Sequence, residues 1–267
     1  MTDENGLDAG GRVARGDALS KLRHYDEMLE AFAEAIDMIN SQRISAWVGK
    51  GDALHALGRH EEARQAYDEA IKIDPQNADA WYARGNVLYD LDHYEKALQA
   101  YNKARKIDPR HADAWYASGN LLRKQDRYRK ALQACNESIK IAPRNVDAWV
   151  GRGDALRKLG RYPEALEAFD KATKLAPQHE GARVGRGHAL AKLARYEEAL
   201  QAFDEATKID SQRADAWYFK GIALRKLERW DDAREALQAA EELGYLFASD
   251  ALAKPHRASR WPSWIRW

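Results

Sequence analysis

The chain has a single cysteine, Cys135, among its 267 residues. No intramolecular disulfide framework can form, and the cysteine usage gives no pointer to secretion. Apolar runs are short, and none approaches the roughly 18–20 residues that a helix needs to span a bilayer. The opening residues, Met1 to Asn5, are polar and acidic, unlike a secretory or mitochondrial leader. An excess of one charge sign is missing too. There are 43 Lys and Arg against 42 Asp and Glu, a net charge of +1, whereas domains built to hold a phosphate backbone are usually strongly basic. These absences predict a cytoplasmic protein with no nucleic-acid partner, and they disfavour membrane attachment.

Marks of catalysis are absent from the sequence as well. It has no phosphate-binding loop, dinucleotide fingerprint or nucleophile elbow. The eight histidines show no i, i+4 pairing around a carboxylate base. No metal site of familiar spacing, cofactor or catalytic residue is therefore expected. Two Arg-Gly-Asp triplets, at 15–17 and 152–154, look like adhesion motifs, but both fall inside a helical pattern and read as helix packing.

What is abundant is tryptophan, nine in all, and its order is regular. Trp47, Trp81, Trp115 and Trp149 are 34 residues apart, and Trp217 follows after twice that interval with Arg183 at the skipped position. Gly51, Gly85, Gly119, Gly153, Gly187 and Gly221 keep the same step, as do six leucines from Leu54 to Leu224 and the prolines Pro75, Pro109, Pro143 and Pro177. A period of this length marks a solenoid array. With Trp47 at position 4, complete units run 44–77, 78–111, 112–145, 146–179, 180–213 and 214–247. A weaker unit, 9–43, precedes them, because Gly16, Leu19, Tyr25, Phe32 and Ala35 lie 35 residues before their counterparts. The domain reading is thus a flexible 1–8, a seven-repeat array over 9–247, and a C-terminal cap and tail over 248–267.

Within a unit, positions 4, 8 and 11 (Trp81, Gly85, Leu88) form one stripe of a first helix. Positions 20, 24 and 27 (Ala97, Tyr101, Ala104) form a stripe on a second. Glycine at position 8 and alanine at position 20 are small where two helices must approach, and the aromatic at position 24 fills the space beside them. Asp-Pro or Ala-Pro ends the second helix in four units, since proline cannot continue it. Short turns make the two helices antiparallel. The repeat tryptophan reads as core. Cys135 stands at position 24, in the slot of Tyr67, Tyr101, Phe169 and Phe203, and reads as a buried, inert thiol.

Trp81, Gly85, Leu88, Tyr94, Ala97, Tyr101, Ala104 and Pro109, with their 34-residue equivalents, closely resemble the tetratricopeptide repeat (TPR) over most of the chain. The resemblance implies an all-α, right-handed superhelical solenoid of antiparallel helix pairs, with first helices lining a concave groove. It also implies a non-enzymatic scaffold or adaptor that binds a protein or peptide segment.

The groove reading follows a second stripe of the first helix, at positions 2, 5, 9, 12 and 13. It supplies Tyr82, Tyr116 and Tyr218 at position 5, Asn86, Asn120 and Asp154 at position 9, and Tyr89, Arg123, Arg157 and Arg225 at position 12. Tyrosine offers rigid contact area, and asparagine can donate and accept against a peptide backbone. These ten residues are the expected peptide-contact set. An ordinary solvated face with intrahelical pairs such as Asp154–Arg157 is the competing reading. Chaperone-binding members of the family clamp a C-terminal carboxylate with basic residues at positions 2, 5 and 6. Here those positions are mostly Asp, Val or Tyr, and Ala or Gly, with only Asn86 and Asn120 matching, so that partner is not expected.

The tail ends Arg260-Trp-Pro-Ser-Trp-Ile-Arg-Trp267. Trp261, Trp264 and Trp267 would be an aggregation liability if left free. They are read as anchors that dock on the chain's own last face, on another chain or second copy, or at an anionic membrane surface. Self-assembly through the array ends or this tail, giving a homo-oligomer, is the rival to the binding scaffold.

Overall fold

The computed structural model describes residues 9–22, 24–37 and 43–253. Among them every regular element is a helix, and the helices alternate with turns too short to allow anything but reversal of the chain. The chain divides into two compact units, Met1–Leu121 and Leu122–Trp267, with the division inside one helix.

The first unit holds α1 (Ala9–Leu22), α2 (Tyr25–Asp37), α3 (Arg43–Ala56), α4 (His60–Ile73), α5 (Ala78–Asp90), α6 (Tyr94–Ile107) and α7 (Ala112–Lys124) as far as Leu121. The second holds the end of α7, then α8 (Tyr128–Ile141), α9 (Val146–Lys158), α10 (Tyr162–Leu175), α11 (Glu180–Lys192), α12 (Tyr196–Ile209), α13 (Ala214–Lys226), α14 (Trp230–Glu242) and the short α15 (Ala248–Leu252). In the first unit α1 to α6 each pack on the next, and in the second α8 to α15 do; first helices also touch each other, α1 with α3 and α3 with α5, α9 with α11 and α11 with α13. First helices therefore form a layer of their own in each unit.

The small residues set how close a pair can come. A Cβ on Gly85 would lie 2.5 Å from the Tyr101 ring, and one on Gly153 would lie 2.8 Å from Phe169. The aromatic at position 24 is seated in the space that a missing side chain leaves. Tyr67, Phe32, Phe169 and Phe203 are accordingly among the largest fully buried side chains, each contributing roughly 1.5–3 kcal/mol through lost water contact. The Arg-Gly-Asp glycines belong to this set, since Gly16 lies under Phe32 and Gly153 under Phe169. Cys135 is buried in α8, and loss of hydration pushes its thiol up to about 12. It is not a thiolate near neutral pH.

The repeat tryptophans sit at the rim of the core: Trp47, Trp149 and Trp217 pack against its buried clusters without being fully buried. Their rings are half-buried, because they lie over the turn that joins one pair to the next. The indole N–H of Trp81 donates to the carbonyl of Pro75 (3.1 Å), Trp115 to Pro109 (3.0 Å), Trp149 to Pro143 (2.9 Å) and Trp217 to Ser211 (2.9 Å). A cation covers the ring, as with Arg152 over Trp149 and Lys220 over Trp217. Arg183, at the skipped position, keeps the same bond: its Nε and Nη2 donate to Pro177 O at 2.9 and 2.7 Å. It also pairs with Glu205 on α12.

Turns within a pair have one requirement of their own. Gly58, Asp92, Asp126, Gly160, Ala194 and Glu228 all take φ between 58° and 76° at the same repeat position. Turns between pairs are held by side chains instead. Asn77 and Asn145 accept from Ala80 N and Ala148 N, at 2.8 and 3.0 Å, as N-caps of α5 and α9.

Candidate binding face of the first helices

In the first unit the expected contact residues lie on α5 and α7. Tyr82, Asn86 and Tyr89 share one side of α5, and Tyr116 and Asn120 sit on α7; all five are half-buried rather than fully open. The Tyr82 ring is tilted against Tyr101 at 6.0 Å and against His111 at 4.8 Å between centroids. Tyr89 leans on Tyr94 at 5.6 Å. These contacts hold the rings in place, and lost hydration raises the Tyr82 phenol above its ordinary pKa. Both rings are thus supported by aromatic neighbours and remain partly exposed.

Asn86 has a second duty that its position alone did not announce. The hydroxyl of Tyr101 donates to Asn86 Oδ1 at 2.9 Å, and Tyr67 likewise donates to Asp52 Oδ1 at 2.6 Å. Position 9 supplies the acceptor that a buried position-24 tyrosine needs. Where position 24 is Phe, as with Phe169 and Phe203, position 9 has other uses. Asp154 takes Arg157 at 3.2 Å and Arg123 at 3.6 Å. His188 packs on Phe219 at 3.9 Å and Phe203 at 5.7 Å. Lost hydration, then the charges of Arg157, Lys192, Arg213 and Lys158, lower its pKa to about 3.

In the second unit Arg123, Asp154 and Arg157 form one charge group, whereas Tyr218 and Arg225 do not join it. Tyr218 is buried, with 4% exposed, and stacks at 4.6 Å with Tyr245 beneath the C-terminal cap. Burial pushes its phenol up to about 12. Arg225 Nη1 donates to Ala251 O at 2.7 Å, tying α13 to α15. The expectation that these two meet a partner is corrected: the segment after Gly244 folds over them, and Ala248 and Ala251 are buried in the same cluster. A tyrosine near the end of an array looks identical in sequence whether a cap covers it or not. Trp261, Trp264 and Trp267 lie outside the described residues.

Among the described residues one group could hold a metal ion, His55, His60 and Asp90, whose ligand atoms all lie within 4.8 Å of one another. Its members come from three helices, so no spacing motif reveals it.

Family models of the TPR repeat match residues 51–92, and those of the tetratricopeptide repeat match 82–146, 146–179 and 184–245. The chain belongs to the tetratricopeptide repeat family. Among solved structures it is similar to YrrB, a TPR protein with an unusual peptide-binding site. The two share 28% identity over 70% of this chain and 98% of that one, with a TM-score of 0.61. It is similar in fold to Pseudomonas aeruginosa pilF, with 24% identity, 79% and 96% of the two chains covered and a TM-score of 0.70. A tetratricopeptide repeat protein from Parabacteroides merdae gives 18% identity, 91% and 97% coverage and a TM-score of 0.66. Among curated proteins none matches the chain.

Proposed function

We propose that this TPR protein is a non-enzymatic scaffold that holds a protein or peptide segment against the first-helix layer, with Tyr82, Tyr89 and Tyr116 of the first unit as its main contacts. Repeats of this family generally mediate protein–protein interaction. The observation that carries the reading is the presence of partly exposed tyrosines on α5 and α7, with the Tyr82 and Tyr89 rings braced by neighbouring aromatic rings. Rings already fixed lose little side-chain entropy on binding, so contact area converts efficiently into affinity. Asn86 braces the tyrosines rather than standing free, its oxygen taken by Tyr101 and its side chain also hydrogen-bonded to Tyr82. In the second unit, Arg123, Asp154 and Arg157 offer a polar margin of mixed sign. The similarity to a peptide-binding TPR protein supports the same reading. Affinity purification with quantitative mass spectrometry, comparing wild type with the Tyr82→Ala/Tyr116→Ala variant, tests it. Loss of specific partners from the variant is expected, and identical partner sets would sink the proposal.

Self-assembly has one observation in its favour. Leu246 is 80% exposed and Phe247 39% exposed beside the C-terminal cap, an apolar pair of the kind that self-association covers. Light scattering over a range of concentrations discriminates: a mass that rises with concentration and falls back in Leu246→Glu supports assembly, while a strict monomer removes it.

A further inference from the structure

We propose that His55, His60 and Asp90 form a site for a divalent transition-metal ion of the zinc class, stapling α3, α4 and α5 together. His55 lies at the end of α3, His60 opens α4, and Asp90 closes α5. The turn inside one helix pair and the end of the next first helix thus converge on one point. His55 Nε2 and Asp90 Oδ2 are 2.6 Å apart. The His55 and His60 rings meet edge to face at 5.5 Å between centroids, and one ligand atom from each of the three residues falls within 4.8 Å of the others.

Three features favour an ion over a purely structural cluster. The donor set is two imidazoles and a carboxylate, the combination that zinc and its neighbours accept with a fourth place left for water. His60 Nδ1 is buried with no hydrogen-bond partner, and a buried nitrogen lone pair or N–H without a partner is costly; metal coordination by this imidazole would offset that cost through either ring nitrogen and the reorientation it brings. Finally, the ligands come from helices already packed on one another, α3 on α4, α4 on α5 and α3 on α5. Ligands at Zn–N and Zn–O distances of about 2.0–2.2 Å stand roughly 3.3 Å apart around a tetrahedral ion. Side-chain rotations close the remaining ångström or so, with no helix displaced. An ion held here would connect unit 44–77 to unit 78–111 at the edge of the first-helix face, beside Tyr89.

The test uses the full chain, stripped with chelator and titrated with Co2+ and then Zn2+. One Co2+ per chain with the intense visible absorption of a tetrahedral ion is expected, displaced by Zn2+, together with a melting temperature raised by Zn2+. His55→Asn, His60→Asn and Asp90→Asn should each weaken binding about tenfold or more and abolish the shift in melting temperature, while circular dichroism shows them folded. Absence of binding to the wild type would overturn the proposal. So would binding that survives unchanged in the His55→Asn/His60→Asn double variant, which would mark weak capture by other surface histidines.

Discussion

The amide oxygen of Asn86 accepts from Tyr101, and the carboxylate of Asp52 accepts from Tyr67. Position 9 answers first to the aromatic at position 24 and only then to any ligand. That relation was present in the sequence as a pairing of Asp52 with Tyr67 and of Asn86 with Tyr101, and of His188 with Phe203, but nothing in a one-dimensional period says that two such positions touch. His188 gives the relation a pH dependence. Its folded pKa is lowered to about 3 by lost hydration and by surrounding cations, whereas the unfolded imidazole takes up a proton near 6.5. The unfolded chain therefore binds more protons below about 6.5, and stability falls as pH falls through that window toward 3. Above it the contribution is fully retained. At pH 5 the loss is about 2 kcal/mol. His188→Asn installs the residue that units 78–111 and 112–145 carry at this place. Chemical denaturation at pH 7 and pH 5 should show a drop smaller by about 1–2 kcal/mol in the variant. Equal drops in the two proteins would remove His188 from the account.

At the scale of helices and turns, the 34-residue step gave the elements closely, because tryptophan, glycine and proline each mark a different part of a pair. Helix starts at Ala78, Ala112, Val146, Glu180 and Ala214 repeat that step without drift. The tryptophan packs on the core but is only partly buried, a difference that periodicity does not show. Arg183 explains why one unit can drop the indole: the guanidinium reaches the same Pro177 carbonyl. The intrahelical-pair turn carries a sharper demand. Ala194 and Glu228 hold φ of 60°, a conformation that costs an L-residue roughly 1–2 kcal/mol, while Gly58 and Gly160 meet it freely. Ala194→Gly should stabilise the protein by about 0.5–1 kcal/mol after glycine's greater unfolded-state entropy is subtracted. Urea denaturation checks the sign, and a destabilised variant would show that the turn tolerates alanine without strain.

At the scale of the molecule, stability in a stacked array is approximately a sum of repeat terms and neighbour interfaces, and ends are where such a sum is incomplete. The C-terminal segment through α15 completes it by covering Tyr218 and bonding Arg225. For that reason two residues expected on the binding face are spent on the cap. The metal cluster was illegible for the opposite reason: His55, His60 and Asp90 are ordinary surface residues in sequence, joined only when three helices pack. The proposed contacts lie on α5 and α7 in the first unit and at Arg123, Asp154 and Arg157 in the second. Hydroxyl-radical footprinting of the free protein and of its complex with a captured partner tests this placement most directly. The account predicts that Tyr82, Tyr89 and Tyr116 lose reactivity on binding while second-helix residues do not. Unchanged tyrosine reactivity with new protection on the second helices would contradict it.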